Sequence, residues 1–166
     1  MPSSDQGVFK DRYAVIPRAL IFLTRGDKVL LLKGAPTKRV WPNKYNGVGG
    51  HIERDEDILN AARREVQEET GLTCENLWLC AVVNIDTGQD LGISMHVFLG
   101  ESLEGEPRSS DEGTLEWINK DTIQELDLVE DIPHLLPRVL AMQSGDAPLW
   151  AHYSYDKNDE LVIRWN

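Results

Sequence analysis

Three acids crowd one short stretch: Glu65, Glu68 and Glu69, in the run Arg64-Glu65-Val66-Gln67-Glu68-Glu69. On a helix the i, i+3, i+4 spacing puts their carboxylates side by side on one face. Like charges so placed cost about 0.2–0.5 kcal/mol per pair. At the end of a helix they also face the negative pole of the macrodipole, for about 0.3–1 kcal/mol each when exposed. The local penalty sums to ~1–2 kcal/mol. Two arrangements relieve it. Arg64 can pair with Glu68 while the other acids face water, or a divalent cation can settle on the cluster. Mg²⁺ and Mn²⁺ prefer oxygen ligands, and Mg²⁺ takes a few carboxylates together with a substrate's phosphates. An ion held that way suits the cleavage of a phosphate anhydride.

These acids need a helix to present them. Ile58, Ala62 and Val66 recur every fourth residue, flanked by Leu59 and Ala61, so a helix from Asp57 to Thr70 has one apolar stripe for a core. Asp57 is a plausible N-cap, and Gly71 stands where a C′ glycine belongs. Gly47, Gly49 and Gly50 lie just upstream and mark backbone that bends sharply or approaches something closely. Tyr13–Leu23 and Val29–Lys33 read as strands around the turn Arg25-Gly26-Asp27-Lys28, and 34–46 reads as a loop. Further strands are expected at Leu77–Ile85, Ile93–Leu99 and Leu115–Ile118, with 101–113 as a polar loop. Helical stretches follow near Thr122–Leu126 and Ile132–Met142, then a hairpin turning around Asp156–Glu160. Residues 1–12 read as a polar, mobile start and 13–166 as a single domain of α/β class.

Composition narrows the partners. The chain has 166 residues, 41% apolar and 27% charged, with a net charge of −11. That acidity argues against a sequence-independent grip on duplex nucleic acid, which needs a basic face. It leaves room for a small anion held through metal. No segment is long enough to span a membrane, and MPSSDQG lacks the apolar stretch of a signal peptide. Two cysteines, Cys74 and Cys80, form no disulfide framework. Both are expected to pack on a shared strand face, and a cytoplasmic location is expected.

The whole string around the acids is more specific than the cluster. Gly50, five residues, Glu56, seven residues, then Arg64-Glu65-Val66-Gln67-Glu68-Glu69-Thr70-Gly71-Leu72 resembles the Nudix box, G-x5-E-x7-R-E-U-x-E-E-x-G-U with U apolar. Every fixed position is matched. The resemblance implies an α/β/α sandwich around a mixed β-sheet, with the C-terminal β-hairpin added. It also implies hydrolysis of a nucleoside diphosphate linked to another group, with Mg²⁺ (Mn²⁺ as substitute) as cofactor. By that likeness Glu65, Glu68 and Glu69 would be metal ligands, completed by the Gly49 carbonyl. Glu56 and Arg64 match positions more often structural, with an Arg64–Glu56 or Arg64–Glu68 pair fixing the helix. Glu65 or Glu69 would serve as general base. Glu112, in the polar loop, would be a further metal-binding or basic glutamate.

A closer likeness lies with oxidised-purine nucleoside triphosphate hydrolases, the MutT-like branch. It is carried by EGEPRSSDE followed by Trp117, by KYNGVGGHIE and by SMHVF. It implies a purine contact for Asn46, whose other reading is a turn cap before glycine. Asp131 matches one acid of the pair that reads the base in that branch. Ile132 replaces the other, and Val129 stands in place of a tryptophan. Lys33, Lys38, Arg39 and Lys44 are candidate phosphate contacts, with Lys33 the one favoured. Trp41, Tyr45 and Trp117 are candidate walls of a base pocket, Trp117 equally a core residue. The expected partner is a small nucleotide, and the chain is expected to be a monomer or homodimer. The alternatives are a nucleotide-sugar or dinucleotide hydrolase, or a nucleotide-sensing module without catalysis.

Overall fold

The computed structural model describes residues 2–9, 11–102 and 104–166. In chain order it has β1 (Ala14–Arg25), β2 (Lys28–Gly34), β3 (Tyr45–Asn46), α1 (Ile58–Thr70), β4 (Trp78–Ile85) and β5 (Leu91–Glu101). Then come β6 (Gly113–Asn119), α2 (Ile132–Leu140), β7 (Leu149–Tyr155) and β8 (Leu161–Trp165). Short 3₁₀ turns lie at Ser3–Gln6 and Lys120–Glu125. The first falls within the stretch read as a mobile start.

The sheet runs β3-β2-β1-β5-β4-β7-β8, with β6 on β2. The β1–β5 and β4–β7 pairs are parallel and the others antiparallel, which makes the sheet mixed. Strand alternation divides the core. Ala19, Ile21 and Leu23 of β1 pack with Ala62 and Val66 of α1 on one face. Leu20 and Phe22 pack with Ile132, Leu135, Leu136 and Val139 of α2 on the other. The C-terminal hairpin is β7–β8, closed by an Asp156 N–H bond to the Glu160 carbonyl at 2.9 Å.

One irregularity matters for chemistry. β1 and β2 pair only from Leu23↔Leu30 to Arg25↔Lys28 and then part. Residues 45–51 fill the gap. β3 pairs with β2, while Val48 exchanges backbone hydrogen bonds with Ile21 at 2.7 and 3.1 Å, and Ala19 N–H donates to the Gly50 carbonyl at 2.9 Å. The end of the stretch read as loop is therefore strand, because two splayed neighbours offer it unpaired backbone groups.

The helix α1 begins as its sequence indicates. The Asp57 carboxylate accepts from the Leu59 and Asn60 amides, both at 2.9 Å. Gly71 takes φ 70° and donates to the Gln67 carbonyl. The two cysteines correct the sequence reading. Both are buried and free, but Cys74 lies before β4 on the α1 side and Cys80 on the α2 side. They do not share a face.

Candidate active site

The glycine loop and α1 meet over β1. A Cβ on Gly49 would fall on the Ala19 carbonyl oxygen, and φ there is 151°. A Cβ on Gly50 would stand 2.5 Å from Glu65 Oε1. The bare backbone lets the loop lie directly against Glu65, a residue only 8% exposed. The Gly49 amide donates to Glu69 Oε2 at 3.0 Å. Burial pushes the Glu69 carboxyl up to about 7, and the charges of Glu65 and Glu112 add to this, against the Gly49 amide and Lys38. A buried acid with acidic neighbours gains from a nearby cation.

Arg64 realises both pairings expected of it. Its Nε and Nη2 donate to the two Glu56 oxygens at 3.0 and 2.7 Å, and Nη1 donates to Glu65 at 2.8 Å and Glu68 at 2.9 Å. Nη2 also reaches the His51 carbonyl at 3.0 Å. Glu56 in turn accepts from the Glu53 amide at 2.8 Å. One guanidinium thus fixes the helix to the loop and offsets part of the acid–acid repulsion. Glu68 is the outer member of the cluster, with a side chain 61% exposed. Among the described residues, no three acidic, imidazole or thiol groups converge closely enough to hold an ion as they stand.

A cleft of about 820 Å³ opens beside these residues. Glu65, Glu69, Gly49, Gly50, Asp111 and Glu112 line it, and so do Asn46, Asp131 and four residues of the α2-side core, Leu20, Met95, Val129 and Tyr153. Asn46 caps its own turn, accepting from the Gly47 amide at 2.8 Å, while nothing among the described residues accepts from its side-chain nitrogen. Asp131 precedes α2 without a side-chain capping bond. Burial, then the Glu130 charge, pushes its carboxyl up to about 6. Glu112 is held by Lys38 at 2.6 Å.

Other expected residues lie elsewhere. Lys33 lines a second cavity with Ser109 and Ser110, which shares Gly34 and Asp111 with the cleft, and its ammonium sits 5.4 Å from the Tyr45 ring centre. Tyr45 is buried, its hydroxyl on Glu116 at 3.2 Å, and Trp117 packs under Arg25 at 4.3 Å. Of the three candidate aromatics only Trp41 reaches the cleft. Lys44 lines it but is paired with Asp127 at 2.7 Å. Arg18, Met95 and Tyr153 line the cleft without having been singled out. Arg18 and Tyr153 belong to no motif and Met95 enters only as part of SMHVF, with no role of its own; the pairing of β1 with β5 and the return of the hairpin bring the three together.

Residues 15–139 match the NUDIX domain. The chain belongs to the Nudix hydrolase family. The Nudix chain is 34% identical over 105 residues to an oxidized purine nucleoside triphosphate hydrolase from Danio rerio, covering 63% of this chain and 66% of that one. It is 31% identical over 134 residues to the NAD-capped RNA hydrolase NudC of Pseudomonas aeruginosa, covering 79% of this chain and 46% of the relative. The matches thus span less than two thirds of either relative. The crystal structure of a MutT protein from Bacillus halodurans superposes with a TM-score of 0.72 at 28% identity, covering 91% of this Nudix chain and 97% of that one. The α/β class, the mixed sheet and the hairpin agree with the expectation from the sequence. No helix among the described residues is long and apolar enough to cross a membrane.

Proposed function

We propose that this Nudix hydrolase cleaves the diphosphate linkage of a purine nucleoside triphosphate, an oxidised purine such as 8-oxo-dGTP included, to monophosphate and pyrophosphate. One observation carries the reading: a single cleft brings the carboxylates of Glu65, Glu69 and Glu112 together with Leu20, Met95, Val129 and Tyr153 of the α2-side core and the polar side chains of Asn46 and Asp131. A triphosphate and a base need such neighbouring environments. The oxidized purine nucleoside triphosphate hydrolase of Danio rerio supports the choice of substrate.

The donors fit a hard divalent cation by type. Glu65 and Glu69 offer carboxylate oxygens, and the Gly49 carbonyl would join them as a backbone donor, an all-oxygen set that suits Mg²⁺ or Mn²⁺. Glu68 and Glu112 would be further donors, Glu68 on leaving Arg64 and Glu112 on leaving Lys38. Bound there, the ion would supply Lewis acidity toward the phosphate oxygens. The chain's own residues do the rest. Arg64 holds Glu65 and Glu68 in orientation, and the Gly49 amide aims Glu69. A carboxylate so aimed, Glu69 or Glu65, takes the proton from the attacking water. Glu112 is the third candidate for that role. Asn46 and Asp131 bind the base.

The test is a substrate panel with Mg²⁺ or Mn²⁺: canonical and oxidised purine triphosphates, a nucleotide sugar and NAD, assayed for phosphate and pyrophosphate. Turnover of purine triphosphates with pyrophosphate release supports the reading. Turnover confined to NAD favours a dinucleotide substrate, the reading suggested by the NAD-capped RNA hydrolase relative. Binding without turnover would mean a sensing module.

A further inference from the structure

Arg18 lines the cleft, yet its Nε is buried and has no hydrogen-bond partner among the described residues. No acid among them pairs with its guanidinium either. A buried donor left unsatisfied is costly, and in a cation more so. Such a group calls for an explanation in what it meets during function.

Its position supplies one. Arg18 lies on β1 opposite His51, and the next residue's amide binds the Gly50 carbonyl at 2.9 Å. On its other side it is in register with Met95 of β5, a wall of the part of the cleft proposed for the base. It therefore stands where the carboxylate-bearing loop and that part meet. A nucleotide bound as proposed above would put its sugar and the phosphate attached to it at that junction.

We propose that Arg18 binds the phosphate that remains on the nucleoside. The inference rests on the nucleotide reading above. The charge balance of the cleft favours it. Four cationic side chains line the cleft: Arg18, Lys38, Arg39 and Lys44. Lys38 is held by Glu112 at 2.6 Å and Lys44 by Asp127 at 2.7 Å. Arg39 is exposed on the loop between β2 and β3. Arg18 alone is carried by a strand, and its guanidinium is committed to no acid. A guanidinium presents donors in a fork that matches two phosphate oxygens. Acids crowd the neighbouring part of the cleft, so a phosphate there gains from a cation already in place.

The test is calorimetric binding in EDTA, with dGMP, dAMP and 8-oxo-dGMP, each beside its own nucleoside. The proteins are the wild type, Arg18→Gln and Arg18→Lys, all with melting temperatures checked. The wild type is expected to bind at least one monophosphate more tightly than its nucleoside. Arg18→Gln should weaken that monophosphate by about 10- to 100-fold, as for a hydrogen bond to a charged group, and leave the nucleoside unchanged. Arg18→Lys, which keeps the charge but not the fork, should fall between. Equal losses for monophosphate and nucleoside would overturn the proposal and assign Arg18 to the pocket wall. Unchanged affinities in Arg18→Gln would overturn it while leaving the nucleotide reading intact. A wild type that binds none of these compounds would overturn both.

Discussion

The Gly50 backbone and the Glu65 carboxylate occupy adjoining space with no room for a methyl group: a Cβ on residue 50 would stand 2.5 Å from Oε1, 2.7 Å from Cδ and 2.8 Å from Oε2 of Glu65. Contacts that short force one side to move. The loop is pinned to β1 through the Ala19–Gly50 hydrogen bond, so the carboxylate is the part that yields.

Gly50→Ala should therefore displace Glu65. Gly50 is not among the residues at positive φ, so alanine meets no backbone strain there. The expected result is a fall in kcat of about 10²-fold, the scale of a catalytic group misplaced by about an ångström. The fold should persist, as checked by circular dichroism and a melting curve. Full activity in this variant would mean that the loop does not set the position of Glu65.

Glu68→Gln separates the two roles of the acidic face. Its bond to Arg64 is an exposed pair, worth about 0.2–1 kcal/mol, so the melting temperature should hardly change. Turnover should fall by more than the ~10–100-fold typical of losing an outer partner of a metal ligand. Mn²⁺ affinity, followed by electron paramagnetic resonance, should fall with it. Unimpaired turnover would exclude Glu68 as an essential ligand.

The spacing of Glu65, Glu68 and Glu69 disclosed a face and a conflict of charge, and the Nudix box gave the fold. What the spacing withheld was depth. Glu65 and Glu68 are one turn apart, yet one is buried under the glycine loop and the other is mostly in water. The difference arises because residues 45–51 enter the gap between β1 and β2, a tertiary pairing that periodicity cannot express. The part of the cleft proposed for the base was less legible still. Asn46 and Asp131 were reached by likeness, whereas Arg18, Met95 and Tyr153 come together only once β1, β5 and β7 are set in one sheet. Lys33 illustrates the same limit: at the end of β2 it lines a second cavity with Ala35, Pro36 and Asn43 of the loop that follows, a placement that sequence spacing does not express.

Glu56→Gln tests the Arg64 anchor. Hydrogen bonds from Arg64, then the Glu53 amide, hold the Glu56 carboxyl below its usual value of 4.5. An acid with a lowered folded pKa stabilises the fold above its unfolded pKa and loses that effect as pH falls through the folded value. The wild type should accordingly lose melting temperature below about pH 4.5, and Glu56→Gln should show a shallower acid limb. Activity should fall about 10- to 100-fold, since Arg64 then holds Glu65 and Glu68 less firmly. A variant with an unchanged acid limb would mean that the Glu56–Arg64 fork contributes nothing to folding.

Asp131 predicts the opposite slope. Burial, then the Glu130 charge, sets its folded pKa at about 6, with its own amide and His134 opposing the rise. The unfolded value is about 3.9. Between these values the folded state binds more protons than the unfolded one, so stability declines as pH rises through the window. Above about pH 6 the ionised carboxylate is a standing cost, which a bound base with an N–H to donate would offset. Asp131→Asn removes the titration. Its melting temperature should exceed that of the wild type at pH 8, and the gap should close toward pH 4. His134→Gln serves as the control for the neighbouring imidazole. In the same variant a carboxylate acceptor becomes an amide, so the preference among purine triphosphates should shift by about 10-fold or more, read as a ratio of kcat/KM values. A melting difference independent of pH would assign the effect to packing, and an unchanged substrate ratio would remove Asp131 from the base site.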